Sequence, residues 1–392
     1  MKNPLHFHNR HYSICMLFLF LSIQGRPCNA PRDSAEESNT VTPQEGHSKP
    51  KNKPLPPSWP WRGISIQSEQ STAVDVDYLA GIGVNFIRIQ IKPPIVARKK
   101  KMKPMQAFEA ELLWADSMVA ACAKNGITSM IAFNHLVLDP ASEWDETSPA
   151  FWSDKSIRDS LCNLVEVMVK RFATRGPELC AYEVMSEPVV KSGAGGGKAP
   201  AELELFYKAV LKKIRLHDTQ RWFLLTPGPR GRPNNFDGFT AFDIQDEKLI
   251  YGAHMYMPDV FTHQGIKERP KGISYPGNIK GQKWDREAIA KAFSSLRDFE
   301  KETGYPVFIG EFQAARWGDG ADIWVKDVIE TMDTYGWSWA YFAYEAGQNF
   351  WDPFYEVENK LDPAKNWNLK KTGTETDIWK YMRTRYSENR SR

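Results

Sequence analysis

From Trp61 onward, short β-rich apolar runs alternate with longer runs whose apolar residues recur every three or four positions. Eight of the short runs read as strands: WRGISIQ, VNFIRIQI, ITSMIAFN, LCAYEVMSE, RWFLLTPG, LIYGAHMY, PVFIGEF and WSWAYFAY. Between most of them lie helical patterns: DVDYLAGIG, AFEAELLWADSMVAACAKNG, IRDSLCNLVEVMVKRFATRG, AELELFYKAVLKKIRLHD, DREAIAKAFSSLRDFEKETG and DIWVKDVIETMDTYG, with TDIWKYMRTRY closing the chain. Several end in glycine just before the next strand, as helix C-caps do. The fifth connection, PRGRPNNFDGFTAFDIQD, lacks a clear helix. Eight such units in one stretch predict an α/β fold, a single (β/α)8 TIM barrel. An open doubly wound sheet would be the rival, but no G-x-G-x-x-G follows the first strand.

The first residues follow a different pattern. Lys2 and Arg10 precede the apolar run SICMLFLFLSI, which is short for a bilayer span, and small residues follow at CNA. A secretory signal peptide over residues 1–30 is expected, with a retained membrane anchor as the alternative. Residues 31–58 hold almost no large apolar side chains and many Pro, Ser and charged residues, so they are expected to form a disordered linker. The folded domain would then occupy residues 59–392.

The 392-residue chain carries 51 Lys and Arg against 48 Asp and Glu. Lys2, Arg10 and Arg26 leave with the signal, so the mature chain has 48 of each sign and no general attraction to nucleic acid. Cys15 and Cys28 leave too. Cys122, Cys162 and Cys180 remain in apolar contexts with no metal-motif spacing, and they are expected to be buried thiols. No cofactor or metal is expected.

In a TIM barrel, reactive side chains gather at the C-terminal ends of the strands. Those positions hold Arg88 on the second strand, His135 after the third, Ser186 and Glu187 at the fourth, His254 and Tyr256 at the sixth, and Glu311 at the seventh. Two carboxylates across one mouth suit cleavage of a glycosidic bond. One gives a proton to the leaving oxygen, and the other attacks the anomeric carbon or activates water. An arginine beside the second keeps it ionised. By alternation Glu183 shares a face with Glu187, so Arg88 has two possible partners.

The segments DVDYLAGIGVNFIRIQI, FNH, FWSDKSIRDSLCNLVEVMVKRFATRGPELCAYEVMSEPVV, HMYMPDVFTHQG and VFIGEFQAARW together resemble glycoside hydrolase family 5, the cellulase-like family, in order over residues 61–345. The resemblance implies a secreted retaining β-glycoside hydrolase acting on a β-linked polysaccharide or oligosaccharide, with a β-glucan as first guess. It implies Glu187 as acid/base and Glu311 as nucleophile, with Arg88, His135, His254 and Tyr256 as supporting residues. Ser186 stands where the family has Asn. Serine is shorter, so either a water fills the gap or the sugar carries something larger at carbon 2. The family's eighth-strand tryptophan, which floors the sugar, corresponds to Trp339 or, in the shifted register, to Phe342. Trp144, Trp152, Trp317 and Trp351 are further candidates for stacking on sugars.

A basic run, ARKKKMKP, follows the second strand, and PRGR follows the fifth. As loops on the rim they are ordinarily solvated, and otherwise they would favour an acidic polysaccharide. Two rival functions remain: a carbohydrate-binding pseudoenzyme impaired by Ser186, and a barrel enzyme using the same carboxylates for proton abstraction.

Overall fold

The computed structural model describes residues 53–68, 71–133, 147–192, 196–266, 269–344, 355–357 and 371–391. Eight strands close into one barrel in chain order: β1 (Arg62–Gln67), β2 (Phe86–Ile91), β3 (Thr128–Phe133), β4 (Leu179–Val184), β5 (Trp222–Leu225), β6 (Leu249–Met255), β7 (Val307–Phe312) and β8 (Ser338–Tyr341). Every neighbouring pair is parallel, and β8 pairs back onto β1. Each strand falls inside one of the eight apolar runs read from the sequence.

Helices fill the connections. Ala73–Gly81, Leu203–Arg215 and Ala321–Tyr335 are the sole α-helices described in their connections, Pro104–Lys124 and Lys155–Phe172 each follow a shorter helix, and Asp377–Ser387 lies near the chain's end. The run read as one helix before β7 is two, Arg286–Ala292 and Ser294–Thr303, with Phe293 between them. Gly304 and Gly336 end their helices with φ of 73°, a left-handed turn that glycine adopts without steric cost. After β5 there is only a 3₁₀ turn, Pro233–Phe236, as the absence of a helical period implies. The basic run differs from expectation. It is not a loop but the end of a helix, Pro93–Lys100, with prolines in its first turn and Lys101 in the left-handed region stopping it.

Alternation along the strands sorts the core into two layers. Outward residues such as Ile87, Ile89, Ile131, Tyr182, Leu225, Tyr251, Ile309, Trp339 and Tyr341 pack under the helices. Inward residues Phe86, Met130, Ala181, Leu224, Ile250, Phe308 and Ala340 join Trp61 to fill the N-terminal end of the barrel. Farther along the same inward faces the side chains become polar, at Ser65, Arg88, Gln90, Glu183 and His254, and all five are buried. The apolar plug therefore supports a polar layer nearer the mouth.

The folded chain reaches back before Trp61. The Trp61 indole donates to the Pro57 carbonyl at 2.8 Å, and the Lys53 ammonium sits 4.6 Å from the Tyr305 ring centroid. Cys122, Cys162 and Cys180 are free and buried. Among the described residues no helix is long and apolar enough to cross a membrane.

Candidate active site

Two local irregularities bring the carboxylates to the mouth. On β7, strict alternation from inward Phe308 would point Glu311 outward. Instead the register with β6 shifts between Ile309 and Glu311, so that Glu311 pairs with inward His254 and Phe312 with outward Met255. The bulge inserts one residue and turns the carboxylate into the barrel. Gly310 absorbs it. A Cβ there would lie 3.3 Å from the Phe308 ring and 3.4 Å from the His254 ring. On β4 the strand ends at Val184, and Met185 takes φ of 70°. This left-handed turn breaks the alternation relating Glu183 to Glu187, yet delivers Glu187 to the rim. A bulky residue with positive φ is uncommon, and such positions cluster at functional sites.

Arg88 is fully buried and organises the centre of the site. Its Nε and Nη2 donate to the two oxygens of Glu183 at 2.6 and 2.9 Å, and its Nη1 donates to Glu311 Oε1 at 2.8 Å. Both partners foreseen for Arg88 are thus engaged at once. Gln90 Nε2 donates to the same Glu311 oxygen at 2.9 Å, and the Tyr256 hydroxyl donates to Oε2 at 2.9 Å. Burial alone would raise the Glu311 pKa. The charges of His254, Arg88 and Lys92 outweigh it and hold this carboxyl well below the usual carboxylate range.

Glu187 sits in a different setting. Its side chain is 40% exposed, whereas that of Glu311 is 10% exposed. His254 Nδ1 lies 2.8 Å from Glu187 Oε1 and 3.8 Å from Glu311 Oε2, so the imidazole bridges the pair. Burial lowers the His254 pKa, but Glu311 and Glu187 more than compensate and raise it. An oxygen from each carboxylate and a His254 nitrogen all lie within 4.8 Å of one another. Three such groups can hold a metal ion, but here the Glu311 oxygens already accept from Arg88, Gln90 and Tyr256. The chemistry offered is that of a carboxylate locked in its ionised form beside one open to solvent.

Arg88, Glu187, His254, Tyr256 and Glu311 converge, and Ser186 is buried next to Glu187. The Ser186 carbonyl lies close to Gly231, whose own carbonyl accepts from the His254 backbone at 2.6 Å, so the PRGR loop braces the site. In that loop Arg232 pairs with Asp259 at 2.5 Å. His135, Trp144 and Trp351 lie outside the described residues. Trp339 does not face the mouth. It is fully buried on the outer face of β8, against Phe312 and Tyr386, with its indole donating to Asp333. The inward face of β8 runs through Ser338 and Ala340, and Phe342 is next in that alternation. Trp152 is also core, packed on Phe151 and Phe206. Trp317 is half-buried, and its indole donates to the Gln264 carbonyl.

Two polar residues of the site were missed in the sequence, Gln90 and Lys92. The signal was present, since positions 88, 90 and 92 share one face of an extended chain. Lys92 is half-buried at the end of β2. Its ammonium lies 5.3 Å from the Phe342 ring centroid. Burial pulls its pKa down to about 8, against the opposing pull of Glu311.

Comparison with known proteins agrees with this fold. The model of the cellulase family (glycosyl hydrolase family 5) matches residues 49–348. Relatives include endoglucanase C of Acetivibrio thermocellus and endoglucanase C307 of Clostridium sp. (strain F1). Each is 20% identical over 302 residues, covering 70% of this chain and 84% of the relative. Among solved structures, an endoglucanase aligns with a TM-score of 0.61 at 18% identity, over 84% of this chain and 97% of its own. Endoglucanase Cel5A of Thermotoga maritima aligns at 0.58 and 18%, over 75% and 92%. At these identities the structures speak for the barrel, while the family match spans well over half of the chain. The protein belongs to glycosyl hydrolase family 5.

Proposed function

We propose that this protein is a secreted retaining β-glycoside hydrolase of β-linked polysaccharides or oligosaccharides, with Glu187 as acid/base and Glu311 as nucleophile. The observation that carries the reading is the close approach of two carboxylates in opposite settings, with oxygens within 4.8 Å. Retaining enzymes place the carboxyl groups about 5–5.5 Å apart, whereas inverting ones leave roughly 6.5–9.5 Å for a water. Glu187, reachable from solvent, protonates the leaving oxygen. Glu311 attacks the anomeric carbon, and Glu187 then takes a proton from the water that releases the sugar. Oε1 of Glu311 accepts from both Arg88 and Gln90, whereas Oε2, which faces His254, accepts from Tyr256, so the less encumbered Oε2 is the oxygen assigned to the attack.

A β-glucan is the first substrate to try, since the relatives are named endoglucanases. Phe342 takes over from Trp339 as the proposed sugar platform. Secretion rests on the signal-like segment over residues 1–30. A pseudoenzyme on the same barrel gains no support, because both carboxylates and their supporting hydrogen bonds are in place.

The roles separate in a leaving-group series. Glu187→Ala should lower kcat/KM roughly 10²- to 10⁴-fold on aryl β-glycosides with poor leaving groups, and far less on dinitrophenyl glycosides that need no protonation. An equal loss across the series would remove Glu187 from the acid role.

A further inference from the structure

We propose that Lys92 and Phe342 form a subsite for a carboxylate-bearing sugar, so that the substrate contains uronosyl residues. This rests on the glycoside hydrolase reading above. The Lys92 ammonium is drawn out of bulk water at the mouth and lies over the Phe342 ring, within the range of a cation–π contact. Among the described residues it has no carboxylate within ion-pair distance. Glu311 does not need it as a hydrogen-bond donor, since Arg88, Gln90 and Tyr256 already supply both of its oxygens. The one carboxylate touching Lys92, that of Glu111, accepts from the backbone N–H at 2.7 Å instead.

The helix Pro93–Lys100 continues directly from Lys92 and ends in exposed Arg98, Lys99 and Lys100. Eight residues span only about 12 Å. A carboxylate on a sugar resting against Phe342 would give the partly desolvated ammonium a charge-assisted partner, which a neutral hydroxymethyl group cannot.

The test uses one β-linked uronosyl-containing glycan and the same polymer after chemical reduction of its carboxylates to alcohols, with reducing ends as readout. The wild-type protein should cleave the acidic form with kcat/KM at least about tenfold higher, one ion pair's worth of discrimination. Lys92→Met should bring that ratio to about one, and Lys92→Arg should keep most of it. Thermal melts of all three check folding. A ratio unchanged in Lys92→Met would overturn the proposal and make Lys92 an electrostatic support of Glu311. Wild-type activity on aryl β-glycosides or neutral glucans with no preference for the acidic polymer would overturn the subsite alone. Inactivity on every glycoside would sink the enzymatic reading itself.

Discussion

Glu311→Ala should abolish hydrolysis of natural substrates, with kcat falling roughly 10⁴- to 10⁶-fold, as removal of a nucleophile does in other hydrolases. The loss has a diagnostic reversal. Deleting the carboxylate empties the face from which the anomeric carbon is attacked, and azide is small enough to enter it. On an activated β-glycoside azide should restore turnover and give an α-glycosyl azide, inverted relative to the substrate. Rescue by azide with a β-configured product would instead place the nucleophile elsewhere. Aspartate at the same position should not restore activity fully, since a carboxylate one methylene shorter reaches neither Tyr256 nor the sugar as well.

Arg88→Met should be the most destabilising single change in the barrel, by about 3–5 kcal/mol in urea unfolding, because it leaves two buried carboxylates without their cation. Part of that loss should return in Arg88→Met with Glu183→Met, where no unpaired partner is left at the Glu183 site. The pH dependence has a definite sign. Glu311 is held below its unfolded value, so its stabilising contribution is complete above about pH 4.3 and fades as pH falls toward about 2. In Arg88→Met that depression is weakened, with only His254 and Lys92 left to sustain it, and the stability gap between the two proteins should narrow between pH 7 and pH 3. A gap constant over that range would mean that Arg88 stabilises by packing alone. Activity should fall in parallel, since a carboxylate held less firmly in its ionised form is a weaker nucleophile.

The barrel was legible because its signal is repeated. Each strand is a short apolar run bounded by turn residues, and an error at one boundary does not change the count of eight. The site was legible only in part, and the misses have local causes. Glu311 reaches the mouth through a bulge at Gly310, which no alternation rule reveals, so its placement from sequence rested on its position at a strand end. Trp339 was chosen by residue type, whereas inward alternation on β8 passes through Ala340 to Phe342, and the indole packs beneath the helices. Lys92 was overlooked because attention went to the basic run that begins at Ala97, which was read as a solvated loop. The two prolines after Lys92 start a helix and keep it at the strand end, apart from the exposed charges that follow. Met185 could not be foreseen, since its left-handed turn is imposed by the fold around it and not by its own preference.

The central claim is that Glu311 forms a covalent bond to the sugar while Glu187 handles protons. A 2-deoxy-2-fluoro β-glycoside with a good leaving group, built on whichever sugar the enzyme hydrolyses, slows release of that intermediate enough to trap it. Peptide mass spectrometry of the inactivated protein should find one glycosyl unit on the peptide containing Glu311, with fragment ions placing it on that side chain. Label on Glu187, or unlabelled protein that turns the reagent over with inversion, would contradict the account.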